Sequence, residues 1–289
     1  MREVFAKTIL NKHRKRDEWF LDNYSLNPYQ LCEFNCIYCY IHGSKYGERK
    51  DRLAVKINAP TLLEKELYRR GRRKEYGFIA LSSATEPWMG AEEEYHVTRR
   101  CLEVIYKHRF PVHCLTKSPL ILRDLDLLKK INENAILPDD LRDKLDCGAV
   151  ITFSFSTLEE EIAKIFEPNA PKPKERLKAL QKIKDDGLFC GIAYIPILPF
   201  ISDSDEQLDE MIKIAKEFDV DYIFVGTLTL YGVGKRLYYN VLEKHFPELL
   251  LKYERLFKHF NQPNKKYQKK LEKLAIELCE RYKVKYMIL

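Results

Sequence analysis

The sequence predicts an α/β protein in which parallel strands carry helices on their outer side. Short apolar runs alternate with amphipathic segments over most of the 289 residues, the pattern left by parallel strands joined through crossover helices. A hydrophobic content of 45% with 12% aromatic residues supplies a packed core and excludes a disordered chain. In Thr152-Phe153-Ser154-Phe155-Ser156 the two phenylalanines share one face and the hydroxyl residues the other. A sheet covered on both faces would read as continuously apolar. One polar face fits a barrel lined for a ligand.

The elements follow in order. Residues 1–23 form a basic, then aromatic N-terminal segment, and its 12–16 block reads as a solvated face or a phosphate contact. Residues 24–27 predict a first strand, since Pro28 biases them away from helix. Residues 42–52, with Gly43, Gly47 and several cations, read as an exposed loop, and 53–57 as a short strand. Pro60 opens a helix over 61–70. Strands are expected at 78–81, 112–115, 149–155, 191–197 and 222–225. Helices are expected at 91–108, 119–131, 159–165, 173–185 and 205–218, with Glu92, Glu93 and Glu94 at the positive end of the first and Gly187 stopping the fourth. Residues 24–230 thus make one unit. Residues 231–289 read as a helical C-terminal extension packed on it, with a turn at 232–236 and helices at 240–246, 247–260 and 267–282. Leu249, Tyr253, Leu256 and Phe260 recur at helical spacing as its buried stripe.

The chemistry concentrates in Cys32-Glu33-Phe34-Asn35-Cys36-Ile37-Tyr38-Cys39-Tyr40, three thiols at C-x3-C-x2-C. Thiolates from one tight loop can converge on one centre. An iron–sulfur cube takes four cysteine ligands, so a three-cysteine loop leaves one iron open to a small molecule. Zinc is the rival, because Cys36-x2-Cys39 is half a zinc knuckle. It needs a fourth ligand and usually a second paired half, and the nearest candidate, His42, crowds Cys39. The density of thiols favours the cluster. The other five cysteines, Cys101, Cys114, Cys147, Cys190 and Cys279, are spread one per element and read as apolar fillers.

This loop, C-x3-C-x-aromatic-C with Tyr38 as the aromatic, resembles the signature of the radical S-adenosylmethionine (SAM) superfamily. The longer run from Asn27 to Tyr40 is similar to its spore photoproduct lyase-like branch, which has Gly before the first cysteine where this chain has Leu31. The likeness extends over roughly residues 10–230. It implies a partial (β/α)6 TIM-type barrel with a helical C-terminal extension, and the six barrel strands expected above agree. It implies a [4Fe–4S] cluster on Cys32, Cys36 and Cys39 and SAM chelated to the open iron. SAM would then be cleaved to methionine and a 5′-deoxyadenosyl radical. A one-electron donor such as a ferredoxin or flavodoxin is the expected partner.

Ligand groups in such barrels sit where strands end. The resemblance gives Glu86 the SAM amino group, with Thr85 beside it, and gives Lys117 the SAM carboxylate. It makes Ser154 a further SAM contact, with Tyr38 and Tyr40 matching paired tyrosines. Glu86 has a simpler alternative as a helix cap. Glu167 and Arg176 read as a pair holding their loop, and Tyr194 to Pro199 as the segment beside the adenine. The hydrogen-donating cysteine of spore photoproduct lyase falls on Ala84, which implies a different substrate or termination step.

The sequence shows no Ser-His-Asp set, H-E-x-x-H or Walker loop in support of another chemistry. A net charge of +7 suits a DNA or RNA partner without specifying one. The basic stretches 12–16, 45–52 and 69–74 also suit a non-enzymatic metal-stabilised module that binds nucleic acid. The first residues lack a signal-peptide core, and the longest apolar run, near 192–201, holds two prolines and is too short to span a bilayer. The expectation is a cytoplasmic protein with reduced thiols and no membrane partner.

Overall fold

The computed structural model describes residues 1–44, 47, 52–81 and 84–289. The chain begins with β1 (Arg2–Val4) and β2 (Leu10–Lys12), then β3 (Tyr24–Leu26) and β4 (Tyr29–Gln30), which leads into the cysteine loop. After β5 (Ala54–Lys56) and α1 (Ala59–Arg72) come β6 (Ile79–Leu81), α2 (Glu92–Tyr95) and α3 (Val97–Lys107). β7 (Val112–Thr116), α4 (Leu125–Asn134), β8 (Ala149–Phe155), α5 (Glu160–Phe166), α6 (Pro173–Asp185), β9 (Phe189–Ile197), α7 (Asp205–Glu217) and β10 (Tyr222–Thr227) follow. The chain ends with α8 (Gly232–His245), α9 (Leu250–Leu256) and α10 (Lys265–Tyr282).

The main sheet has the order β10-β9-β8-β7-β6-β3-β2. β3, β6, β7, β8, β9 and β10 run parallel, and β2 is added antiparallel at one edge. These parallel strands are the six that the sequence predicts, and they form the partial barrel. The opposite edge does not stay open to a neighbour: Ile223 of β10 donates to the Lys285 carbonyl and accepts from Met287 N–H, both at 3.0 Å. A second, small sheet, β1-β5-β4, was not foreseen except for β5; it braces the approach to the cysteines through Tyr29↔Val55 and Gln30↔Ala54.

Two apolar layers result. Outside the sheet, Leu63 and Leu67 of α1, Leu102 and Ile105 of α3, Leu180 and Ile183 of α6 and Met211 and Ile212 of α7 are buried in one continuous core. Inside, the lower end of the barrel is filled by Leu21, Phe78, Val150, Tyr222, Phe224 and Ile288. Trp19 and Phe20 close it, with ring centroids 5.5 and 5.8 Å from Phe224. The N-terminal residues thus reach from the edge strand to the barrel floor.

The helix expected at 91–108 is two helices. His96 adopts a left-handed conformation (φ 49°), and the Glu92 side chain folds back to accept Thr98 N–H (2.9 Å) and Arg99 N–H (3.1 Å) at the start of α3. Glu92 is fully buried and also binds Arg123 (2.9 Å) and the Tyr29 hydroxyl. It acts as the cap of the second helix rather than as a surface charge at the first. The expected 247–260 helix is also shorter: Tyr253 and Phe257 are buried, but α9 stops at Leu256 and Phe260 is 72% exposed.

Residues 232–236 are the first turns of α8, not a free turn. A Cβ on Gly234 would come within 3.3 Å of His42 and 3.6 Å of the Cys39 carbonyl, and one on Gly43 within 2.0 Å of the Tyr231 carbonyl. These glycines mark close packing of α8 against the cysteine loop. Removing Glu92 leaves Arg123 and two helix N–H groups short of a partner. Glu92→Ala is expected to cost about 3–5 kcal/mol, read as the shift in a urea unfolding curve.

Candidate active site

The cysteine loop sits at the C-terminal end of the barrel strands. Leu31, just before Cys32, has φ 61°. That left-handed conformation suits Gly, and the leucine holds it at a cost on the order of 1 kcal/mol. Ile37 N–H donates to the Phe166 carbonyl (2.8 Å), Cys39 N–H to the Cys36 carbonyl (3.0 Å), and His42 Nε2 lies 3.0 Å from the Cys36 carbonyl. His42 therefore spends a ring nitrogen on the loop backbone.

Cys32, Cys36 and Cys39 line one small cavity of about 140 Å³ together with Glu86, Lys117, Thr85, Tyr38 and Ser154. Burial pushes the Cys32 thiol up to about 12, helped by the nearby Glu86 carboxylate. Burial also raises Cys36 and Cys39, with Glu167 adding to the rise at Cys36 and Lys117 opposing it. Thiols raised in this way ionise only beside added positive charge, which a bound metal centre would supply. Among the described residues no three His, Cys, Asp or Glu side chains are gathered closely enough to hold one metal ion. The three thiols ring one shared cavity, the number of protein ligands that a cube with one open iron takes. The donor set fits the cube.

Glu86 is buried at the end of β6. One of its oxygens accepts Thr116 Oγ1–H (2.6 Å) and Trp88 N–H (3.1 Å), and the other accepts Lys117 N–H (3.0 Å). Burial raises its pKa while these bonds oppose the rise. It does not cap a helix; it ties the end of β6 to the end of β7. Trp88 in turn donates its indole N–H to buried Asp124 (2.8 Å).

Lys117 points into the same space. Its ammonium donates to Ser154 Oγ (2.6 Å), lies 3.9 Å from Glu167 and stands 5.8 Å from the Tyr38 ring centre. Ser154 Oγ donates to the Ile195 carbonyl (3.0 Å). Glu167 is the hub: it accepts the Tyr38 hydroxyl, Ser156 Oγ–H (2.8 Å) and Arg176, which is itself buried and also holds the Ser154 carbonyl (3.1 Å). Glu167 and Arg176 pair as the sequence suggests. Burial raises the Glu167 carboxyl, and Arg176 and Lys117 more than offset it, so its pKa is lowered.

The profile of the radical SAM superfamily matches residues 26–213, more than half of the chain. The chain belongs to the radical SAM superfamily. A mutant of spore photoproduct lyase superposes with a TM-score of 0.71 at 16% identity, covering 98% of this chain and 80% of that one. The same enzyme complexed with dinucleoside spore photoproduct gives 0.69 at 16% identity and the same coverage. An uncharacterized protein of Methanocaldococcus jannaschii is 28% identical over 229 residues, 78% of this chain and 77% of the relative. One of Mycobacterium tuberculosis is 25% identical over 289 residues, 98% of this chain and 81% of the relative.

Within this radical SAM barrel, Cys32, Cys36, Cys39, Tyr38, Thr85, Glu86, Lys117 and Ser154 line the cysteine cavity together with Tyr40, which is 45% exposed, whereas of the 194–199 segment Ile195 and Pro196 line a neighbouring cavity. Thr85 turns its hydroxyl to Asn27 (3.4 Å). The five other cysteines are buried as expected. Cys114 alternates with His113 and Leu115, which line the barrel interior, and so faces away from it. Residues 45, 46, 48–51, 82 and 83, and with them most of the expected 42–52 loop and Ser82-Ser83, lie outside the described residues. Among the described residues no helix is long and apolar enough to cross a membrane.

A larger cavity of about 460 Å³ adjoins the first and shares Tyr38, Cys39, Tyr40, Leu115 and Ser154 with it. Its lower end holds Asp22 and His113, which no sequence motif singles out. His113 Nδ1 meets the Phe20 carbonyl (2.7 Å) and Nε2 meets Thr152 Oγ1 (2.5 Å). Burial pushes His113 down to about 4, which leaves it neutral. One sequence expectation needs correction: a Ser-His-Asp set exists in space. His13 lies between Asp22 (2.9 Å) and Ser25 Oγ (3.1 Å). Antiparallel pairing of β2 with β3 brings them together, and Ser25 is buried in the sheet, so the set ties the edge strand down.

Because the Glu167 pKa is lowered from 4.5, its contribution to stability is complete above that value and is lost as pH falls through the folded-state pKa. Glu167→Gln should cost about 3–5 kcal/mol at pH 7 by stranding Arg176. The gap from the unmodified chain should narrow under acid. Urea titrations at pH 7 and at successively lower pH below 4.5 measure both.

Proposed function

We propose that the protein is a radical SAM enzyme that binds a [4Fe–4S] cluster through Cys32, Cys36 and Cys39. When bound, the cluster supplies one electron for cleaving SAM to methionine and a 5′-deoxyadenosyl radical that abstracts hydrogen from a substrate. The carrying observation is that the three thiols share one cavity with Glu86 and Lys117. Glu86 uses three of the roughly four acceptor sites of a carboxylate and keeps room for the SAM ammonium. Lys117 offers a cation to the SAM carboxylate, and its present partner Ser154 is neutral and easily exchanged. Ser154, Tyr38 and Tyr40 stand where that cavity meets the larger one. Anaerobically reconstituted protein with dithionite and SAM should release 5′-deoxyadenosine, and Cys36→Ala should reduce this to background. Equal product from the variant would refute the reading, as would one zinc with neither iron nor acid-labile sulfide in anaerobically purified protein.

We infer that the substrate is DNA or RNA, delivered while a ferredoxin or flavodoxin supplies the electron. A solved relative of the same fold is complexed with dinucleoside spore photoproduct. In the loops after β9 and β10, Phe200 and Tyr231 are exposed aromatics, with Lys252 5.5 Å from the Phe200 ring centre, and stacking surfaces beside cations suit single strands. The basic stretches are less free than the sequence suggests. Arg16 is bonded to Asp140, and Lys12 and Arg70 lie against Glu75. Arg69, Arg72, Arg73 and Lys74 remain exposed at the end of α1, and most of 45–52 lies outside the described residues. Ala84 lines the cysteine cavity, and its methyl C–H is a poor donor to a carbon radical beside a thiol S–H. The protein should therefore bind DNA with an affinity that falls as salt rises, yet reverse spore photoproduct slowly, with Ala84→Cys faster. Salt-indifferent binding, or fast clean reversal by the unmodified chain, would overturn the two halves separately.

A further inference from the structure

We propose that the lower half of the barrel cavity, ending at Asp22, receives a compact flat group that bears N–H donors and no negative charge, such as an amidine, amide or imide. The inference rests on the radical SAM reading and defines what part of the substrate enters the barrel. The cavity of about 460 Å³ runs from Cys39 and Tyr40 down to Phe20, Asp22, Ala80 and His113. Asp22 is the one Asp, Glu, Lys or Arg side chain lining it, among the described residues; Glu86 and Lys117 belong to the adjoining cysteine cavity.

Asp22 is 7% exposed. Its Oδ1 accepts Asp17 N–H (3.0 Å) and its Oδ2 meets His13 Nδ1 (2.9 Å). A carboxylate takes roughly four hydrogen bonds, so capacity remains toward the cavity. His13 Nε2 lies 3.1 Å from Ser25 Oγ, so both ring nitrogens of His13 are engaged within the wall and neither is offered to the cavity, whose one carboxylate among the described residues is that of Asp22. His113 cannot balance it, because both its nitrogens are engaged by Phe20 and Thr152 and only ring surface faces the space.

The remaining lower wall is apolar: Phe20, Ala80, Leu115 and Ile195. A flat group slides between such walls at little desolvation cost. An N–H donor reaching Asp22 gains a charge-assisted bond, whereas an anion meets repulsion where the dielectric is low. Phosphates of a polymeric substrate would therefore stay outside while an uncharged or cationic ring goes in.

Three probes with one ring and three charges separate the possibilities: benzamidine, benzamide and benzoate, titrated calorimetrically into the full chain, anaerobically reconstituted with SAM and without reductant. Benzamidine should bind best, benzamide more weakly and benzoate without measurable heat. Asp22→Asn should weaken benzamidine by about tenfold or more and leave benzamide within about twofold. Should Asp22→Asn fail to fold, Ala80→Leu keeps the carboxylate, fills the floor beside it and should abolish binding of both. Equal affinity for benzoate, benzamidine binding unchanged in Asp22→Asn or Ala80→Leu, or no binding of benzamidine by the unmodified chain would overturn the inference. The same preparation assayed for SAM cleavage keeps the two readings apart. Cleavage without charge selection sinks the floor site alone, and charge selection in protein unable to cleave SAM sinks the enzymatic reading alone.

Discussion

The buried ion pair of Glu167 with Arg176 is the constraint on which the site depends. Neither group reaches solvent, so each exists as an ion only because the other is present. Arg176 comes from α6 and also holds the Ser154 carbonyl at the end of β8, while Glu167 takes the Tyr38 hydroxyl from the cysteine loop and the Ser156 hydroxyl. One pair thereby fixes a helix, a strand end and the loop in a single arrangement. The backbone bond from Ile37 to Phe166 closes the same junction from the other side. Lys117, 3.9 Å away, is oriented by this negative centre without being locked to it.

A second set of buried ions does comparable work at the other wall. Asp124 and Glu92 are fully buried and share Arg123, with Arg99 bonded to Asp124 as well. Asp124 holds the Trp88 indole, and the Trp88 backbone holds Glu86. Glu86 therefore faces the cysteines from a segment that is anchored at both ends. Buried charge of this kind contributes little net stability compared with apolar packing. Its use here is geometric: each carboxylate that lines or supports the site has its lone pairs directed by named donors.

Much of this was legible in the sequence, and the limits have physical causes. The parallel strands were readable because each is a short apolar run, and β8 alone revealed the inward face through its alternating hydroxyls. The cysteine spacing pointed directly to three thiols gathered around one cavity. What failed was long-range. Glu92 looks like a dipole-stabilising surface residue until the 3-10 turn before α4 brings Arg123 and Asp124 beneath it. Gly232 and Gly234 signal a turn by composition, and only the approach of Gly43 and His42 shows that they permit helix-to-loop contact. β1, β2 and β4 are two or three residues long, too short for any periodicity. His13, Asp22 and Ser25 carry no motif because strand pairing, not local sequence, makes them neighbours.

The charge distribution across the two cavities gives the architecture its logic. Beside the cysteines, Glu86 and Lys117 line one cavity, and the buried Glu167–Arg176 pair stands behind it, 3.9 Å from the Lys117 ammonium. Below, the wall is largely apolar, and Asp22 is its one carboxylate among the described residues. The same carboxylate is held by His13 from the edge strand and by Asp17 from the N-terminal segment. Residues before the first barrel strand thus set the chemistry of the barrel floor.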